Sequence, residues 1–226
     1  MARKKDQPIE EYTDEQYALM SIPSGYAAIR LGMKLYPWQI EVVDSLIEPG
    51  NSALAACNEA GKTSGVVAVL ILWHMEYYPG SYTVTTSASN RQIEHQLYPA
   101  IKNMIRGWKG WKVTEGRECR VTAPNGSVCI SYATDDARLM EGYHVQKGVE
   151  LDGEALENSL LMIVDECKGV PVTILDGVWR CRAPRNFFAS SPNHADPVDQ
   201  FYDLFHKEKA RFRKSDGAHN LFLCSW

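Results

Sequence analysis

Short apolar runs alternate with helix-length segments along most of this chain, and turn residues punctuate them. The first twelve residues carry mixed charge and Pro8, which predicts a disordered tail over 1–12. The pattern then predicts a helix over 14–20, broken by Ile22-Pro-Ser-Gly25, and a second over 38–47, between Tyr36-Pro37 and Glu48-Pro-Gly-Asn51. Ser52–Cys57 is a short small-apolar run of strand type. Residues 62–77 are apolar nearly all round (Val66, Val67, Val69, Leu70, Ile71, Leu72, Trp73), which suits a helix buried between a sheet and another layer. Pro79-Gly80 ends it, and Tyr82–Thr86 is a β-branched strand. Ile93, Leu97, Ile101, Met104 and Ile105 mark one face of a helix over about 89–106, bent by Pro99.

Further on, 117–123 and 127–133 flank Pro124-Asn-Gly126 and predict a β-hairpin. Residues 134–158 are polar and irregular, a length that marks a functional or mobile loop. A buried parallel strand is predicted over 160–164, then a helix over 171–180 and a strand over 186–191. Asp196 as N-cap and Pro197 as first helical residue open a helix reaching about 208, and a last strand covers 220–225. Strands alternating with helices predict an α/β protein in three layers. Its central sheet is mostly parallel with an added β-hairpin, and 13–226 form one domain.

The chemistry concentrates after the first strand. Asn58-Glu-Ala-Gly-Lys-Thr-Ser64, between that strand and an apolar helix, has the pattern of a phosphate-binding P-loop, although Ala56 stands where the usual spacing puts the first Gly. Backbone N–H groups of Asn58, Glu59, Ala60, Gly61, Lys62, Thr63 and Ser64 would wrap the phosphates of ATP, helped by the helix N-terminus. Lys62 would reach the β and γ phosphates, and the Thr63 hydroxyl would hold Mg²⁺. Leu160-Leu-Met-Ile-Val runs into Asp165-Glu166, placing two carboxylates at the end of a core strand, where open α/β sheets bind ligands. Asp165 would hold Mg²⁺ directly or through water, and Glu166 would orient and activate the attacking water. The pair of motifs predicts a Mg²⁺-dependent ATPase.

Composition narrows this only slightly. The chain of 226 residues is 45% hydrophobic and 23% charged, with a formal net charge of −4. That suits a globular enzyme with a substantial core and excludes a generally basic nucleic-acid coat. No apolar run approaches membrane-spanning length. The six cysteines are dispersed without a C-x-x-C pair, as buried thiols of a reducing compartment would be.

Other phrases extend the picture. Gln39, in Tyr36-Pro-Trp-Gln39, is placed either to read an adenine edge or simply to sit as an exposed amide at a helix start. Phe187-Phe-Ala-Ser-Ser-Pro-Asn193 ends its strand in small polar residues, placed either to sense the γ-phosphate or simply to make a strand-to-turn transition. With Glu141-Gly-Tyr-His144, Asp165-Glu-Cys-Lys-Gly-Val170 and Phe201-Tyr-Asp203, the ordered set over roughly 30–205 resembles the ATPase domain of a phage large terminase subunit.

The resemblance implies a P-loop NTPase fold of the ASCE, RecA-like class and a motor that drives double-stranded DNA into a procapsid. Lys62, Thr63, Asp165 and Glu166 would carry hydrolysis, Gln39 would contact adenine, and Ser190, Ser191 and Asn193 would form a coupling motif. It further implies a homo-oligomeric ring on a capsid portal, a small terminase subunit as partner, and the cytoplasm of an infected host cell. Many members carry an Arg in the P-loop where this chain has Asn58-Glu59. A finger arginine must then come from elsewhere, with Arg138 the first candidate and Arg91 the second. The family's C-terminal nuclease domain is expected to be absent from this chain, and nuclease activity with it. Lys102, Arg106, Lys109 and Lys112 with Trp108 and Trp111, or Arg211-Phe-Arg-Lys214, are the candidate DNA patches. Two other readings stay open: a helicase-like remodelling ATPase, and a module that binds nucleotide without turnover.

Overall fold

A computed structural model describes residues 12–115, 119–131, 133, 150–151, 154–155, 160–191, 201 and 219–224. Residues 1–11 of the expected tail, most of the 134–158 loop with Arg138 and Glu141–His144, Asn193, nearly all of the 197–208 helix and the Arg211–Lys214 patch lie outside them.

Thr13 caps α1 (Asp14–Met20) with a capping box: its hydroxyl accepts from the Gln16 N–H at 3.2 Å, and the Gln16 amide oxygen accepts from the Thr13 N–H at 2.9 Å. Residues 22–25 interrupt this helix as expected, yet Pro23 also begins another, α2 (Pro23–Ile29). Proline suits a first helical turn, because its fixed φ is helical and its missing N–H would have no partner there. Gly25 lets the two helices touch, since a Cβ there would fall 2.1 Å from the Leu19 carbonyl oxygen. Asp44, at the end of α3 (Pro37–Asp44), accepts the Ser24 N–H at 2.8 Å and its hydroxyl at 2.7 Å, fastening α2 to α3.

β1 (Gly50–Ala56) follows, then a π-helical segment Lys62–Val67 that continues as α4 (Ala68–Tyr77). Every residue from 65 to 75 is buried, as an all-round apolar helix must be. After β2 (Tyr82–Ser87) the predicted bent helix is built in three pieces: α5 (Asn90–Gln92), a π-turn Ile93–Leu97 and α6 (Tyr98–Met104). The π-turn lies just before Pro99, which has no N–H to give to the preceding turn. β3 (Lys112–Thr114), β4 (Cys119–Thr122) and β5 (Val128–Ser131) come next, then the two-residue strands β6 (Glu150–Leu151) and β7 (Glu154–Ala155). β8 (Leu160–Asp165), α7 (Val172–Arg180), β9 (Arg185–Ser190) and β10 (His219–Cys224) complete the described elements.

β6 and β7 pair with each other. The other eight strands form one sheet in the order β10-β1-β9-β8-β2-β5-β4-β3, parallel from β10 to β5 and antiparallel through β4 and β3. The predicted hairpin, β4–β5, is a continuation of this sheet rather than an appendage, because β5 pairs in parallel with β2. Side chains alternate between two cores. Leu54, Leu161, Ile163 and Phe187 meet α3, α4 and α6 on one face, and Ala53, Met162, Val164 and Phe188 meet α7 on the other. Among the described residues no helix is long and apolar enough to cross a membrane.

Strand order matters most for the site. β9 lies between β1 and β8, with Ala55 opposite Ser190 and Asp165 opposite Ala189, while Ser87 lies opposite Asp165 across β2. The carboxyl ends of β1, β9, β8 and β2 therefore share one rim.

Candidate active site

The turn from β1 into the π-segment needs two left-handed residues, Glu59 at φ 64° and Gly61 at φ 83°. Glycine takes that conformation freely, whereas Glu59 adopts it against its own preference. Asn58, Glu59 and Ser64 are exposed, Ala60 and Lys62 are buried, and Thr63 is half-buried. The Lys62 ammonium donates to the carbonyls of Ala56 at 2.9 Å and Cys57 at 2.8 Å, and lies 3.9 Å from the Glu166 carboxylate.

The two motifs meet directly: the Thr63 hydroxyl donates to Asp165 Oδ2 at 2.9 Å. Asp165 Oδ1 accepts the Glu166 N–H at 3.1 Å, and Glu166 itself is left-handed at φ 51°. The strand's last carboxylate thus sets the backbone that aims the next one. Burial pushes the Asp165 carboxyl up from 3.8 to about 6; the Thr63 hydrogen bond opposes this, and the neighbouring Glu166 charge adds to it. An acid whose folded value is raised destabilises the fold when charged, so stability from this group falls as pH rises from about 4 through about 6. Asp165→Asn, with an amide that can donate to Thr63 and accept from Glu166, removes that cost. In Mg²⁺-free buffer the variant is expected to be about 3 kcal/mol more stable than wild type at pH 8 and equal to it near pH 4. Denaturant midpoints at the two pH values measure this, and an equal offset at both would refute a titrating Asp165.

The β9 end contributes two serines, both buried. Ser190 Oγ accepts the Lys168 N–H at 3.3 Å, and Ser191 Oγ accepts from the Lys168 ammonium at 2.6 Å while donating to Glu166 Oε2 at 3.5 Å. Lys168 stands in the 3₁₀ turn Cys167–Gly169, directly after the acidic pair. No role was expected for it, and its chain position carries no signal beyond following Asp165-Glu166.

Gln39 is buried rather than exposed: its amide oxygen accepts the Tyr36 N–H at 3.0 Å. Its amide nitrogen lies against the P-loop, where a Cβ built on Gly65 would fall 2.5 Å from it. Gly65 is a second residue missed in the sequence, small so that this amide can reach the loop. Arg91 is exposed on α5, just past the end of β2.

Thr63 and Asp165 offer hard oxygen donors side by side, as Mg²⁺ requires. Among the described residues no group of three or more His, Cys, Asp or Glu side chains is arranged to hold a metal. The pair therefore suits an ion whose shell is completed by phosphate oxygens and water.

No family model matches the chain, and no curated protein does. Solved structures do. The ATPase domain of the large terminase of Thermus phage P74-26 aligns with a TM-score of 0.58 and 16% identity over 89% of this chain and 85% of that one. The large terminase of thermophilic bacteriophage D6E aligns at 0.51 and 15% over 95% of this chain, and that of bacteriophage HK97 at 0.53 and 16% over 79%. This chain spans 44% and 38% of those two longer proteins. At such identities the likeness is one of fold: the chain has the P-loop NTPase architecture of the large-terminase ATPase domains.

Proposed function

We propose that this chain is an ATP-hydrolysing motor domain that powers translocation of double-stranded DNA into a procapsid. The contact between Thr63 and Asp165 carries the reading, because it joins the P-loop to the acidic strand with Lys62 and Glu166 on the same rim. Lys62 leaves its two carbonyl partners to reach the β and γ phosphates, and the loop N–H groups wrap them. Thr63 and Asp165 hold Mg²⁺, which supplies charge neutralisation on the phosphate oxygens when bound. Glu166 orients the water and takes its proton. Gln39 meets the adenine edge from beside the P-loop. Positioning and charge, rather than covalent chemistry, carry the reaction.

Ser190, Ser191 and Asn193 follow loss of the γ-phosphate and pass it to the rest of the motor. The finger is supplied by Arg138 of a neighbouring copy, with Arg91 as the second candidate, in a ring seated on a capsid portal in the host cytoplasm. A small terminase subunit would be its partner. DNA is held by phosphate contacts. The exposed Lys102, Arg106, Lys109 and Lys112 suit that role, whereas Trp108, packed under Arg30 at 3.8 Å and edge-on to Trp111, is engaged within the fold.

Mg²⁺-dependent ATP hydrolysis across protein concentrations, with and without double-stranded DNA, tests the reading. Turnover per chain should rise with concentration. Nucleotide binding without turnover at every concentration would leave a non-hydrolysing module instead.

A further inference from the structure

We infer that Lys168 is a positioning residue for Glu166, acting through Ser191 and resting on the reading of Glu166 as the base that activates water. The stereochemistry assigns the direction. An ammonium group only donates, so the 2.6 Å contact makes Ser191 Oγ the acceptor. The hydroxyl has one proton, and with Lys168 occupying a lone pair it is directed to Glu166 Oε2, 3.5 Å away. Without Lys168 the hydroxyl can turn toward any nearby acceptor, and Glu166 loses a defined donor on the side facing β9.

Lys168 is held to this task by its backbone. Its N–H donates to Ser190, so the turn after β8 is tied to the end of β9 at two successive serines. On its other side the turn is wedged against the loop after β2, where a Cβ on Gly169 would fall 2.6 Å from Ala88 Cβ. The other charged partner of Glu166 among the described residues, Lys62, is 3.9 Å away and in the proposed reading is needed on the phosphates. Ser191 and Lys168 therefore hold the carboxylate when Lys62 is drawn toward nucleotide. The 3.5 Å bond is long, as hydrogen bonds to a catalytic base often are before substrate tightens them.

Steady-state ATP hydrolysis by Lys168→Met, Lys168→Arg, Ser191→Ala and the Lys168→Met/Ser191→Ala double variant tests the relay. Lys168→Met is expected to lower kcat about tenfold with KM for ATP unchanged, Lys168→Arg to restore it, and the double variant to match Ser191→Ala alone. An unchanged kcat in Lys168→Met, or a double variant whose losses multiply, overturns the assignment. The ¹³Cδ resonance of Glu166 gives a second readout that needs no turnover. Lys168→Met and Ser191→Ala should displace it alike, with no further change in the double variant; displacement by Ser191→Ala alone overturns the relay. A wild type without turnover would count against the hydrolysis reading, and the carboxylate resonance would still decide the relay.

Discussion

Glu166→Gln is expected to cut ATP turnover about a thousandfold while nucleotide affinity stays within about threefold of wild type. The substitution is nearly isosteric, and the features that hold the residue survive it. The backbone N–H still donates to Asp165 Oδ1, the left-handed conformation at φ 51° is equally open to Gln, and the amide oxygen still accepts from Ser191. The proposed proton acceptor for water is lost, together with a charge 3.9 Å from Lys62 that would oppose delivery of that lysine to the phosphates. The second loss acts on binding and in the opposite direction, so affinity should hold or tighten as kcat collapses. Single-turnover hydrolysis beside titration with a fluorescent nucleotide separates the two. Turnover within tenfold of wild type would remove Glu166 as the base.

The largest stability effect is expected far from the chemistry, at Arg185. This first residue of β9 is 1% exposed, and its guanidinium donates to the carbonyls of Leu46 at 2.7 Å and Ile47 at 2.6 Å and to the Tyr78 hydroxyl at 2.9 Å. It also lies over the Tyr78 ring at 5.0 Å. Burial pulls the guanidinium below its ordinary range, and the Tyr78 hydroxyl beside it opposes this. Arg185→Met keeps much of the volume and strips donors from the carbonyls of buried Leu46 and half-buried Ile47, so a loss of about 3–5 kcal/mol is expected. That corresponds to a fall in Tm of about 10 °C for a chain of this size. Arg185→Lys should recover little, since a single ammonium cannot span three acceptors set in a fork. Denaturant unfolding measures both, and a loss below 1 kcal/mol in Arg185→Met would show that water replaces the guanidinium.

The contrast between these two residues marks what was legible beforehand. Glu166 stood out because five apolar residues ending in two acids is a local pattern with a local cause: a buried strand must end where charge can meet solvent or ligand. The same holds for the P-loop, the all-round apolar helix after it and the helix over 14–20. Nothing in the sequence singles out Arg185, because its partners come from the loop after α3 and the end of α4. Gln39 posed the same problem in reverse: it is buried because its amide fills the notch left by Gly65, and nothing in the local pattern around Tyr36–Gln39 shows that notch. Pro23 was legible as a break but not as a beginning, since both uses of proline leave the same trace. The β-hairpin was visible, but not its pairing with β2, and no chain-order reasoning interposes β9 between β1 and β8. That insertion brings Ser191 to Glu166 and Ser190 to Lys168, which is why Lys168 went unassigned.

Among the described residues, β3 closes one edge of the sheet and limits what could pair there. β3 is only three residues long, its two outer residues are exposed, and Lys112 begins it. A short, charged border offers too few free main-chain groups for another strand to zip onto. Whatever approaches this border would have to be recognised through side chains, contacts that can be released and remade, rather than through a continuous backbone ladder.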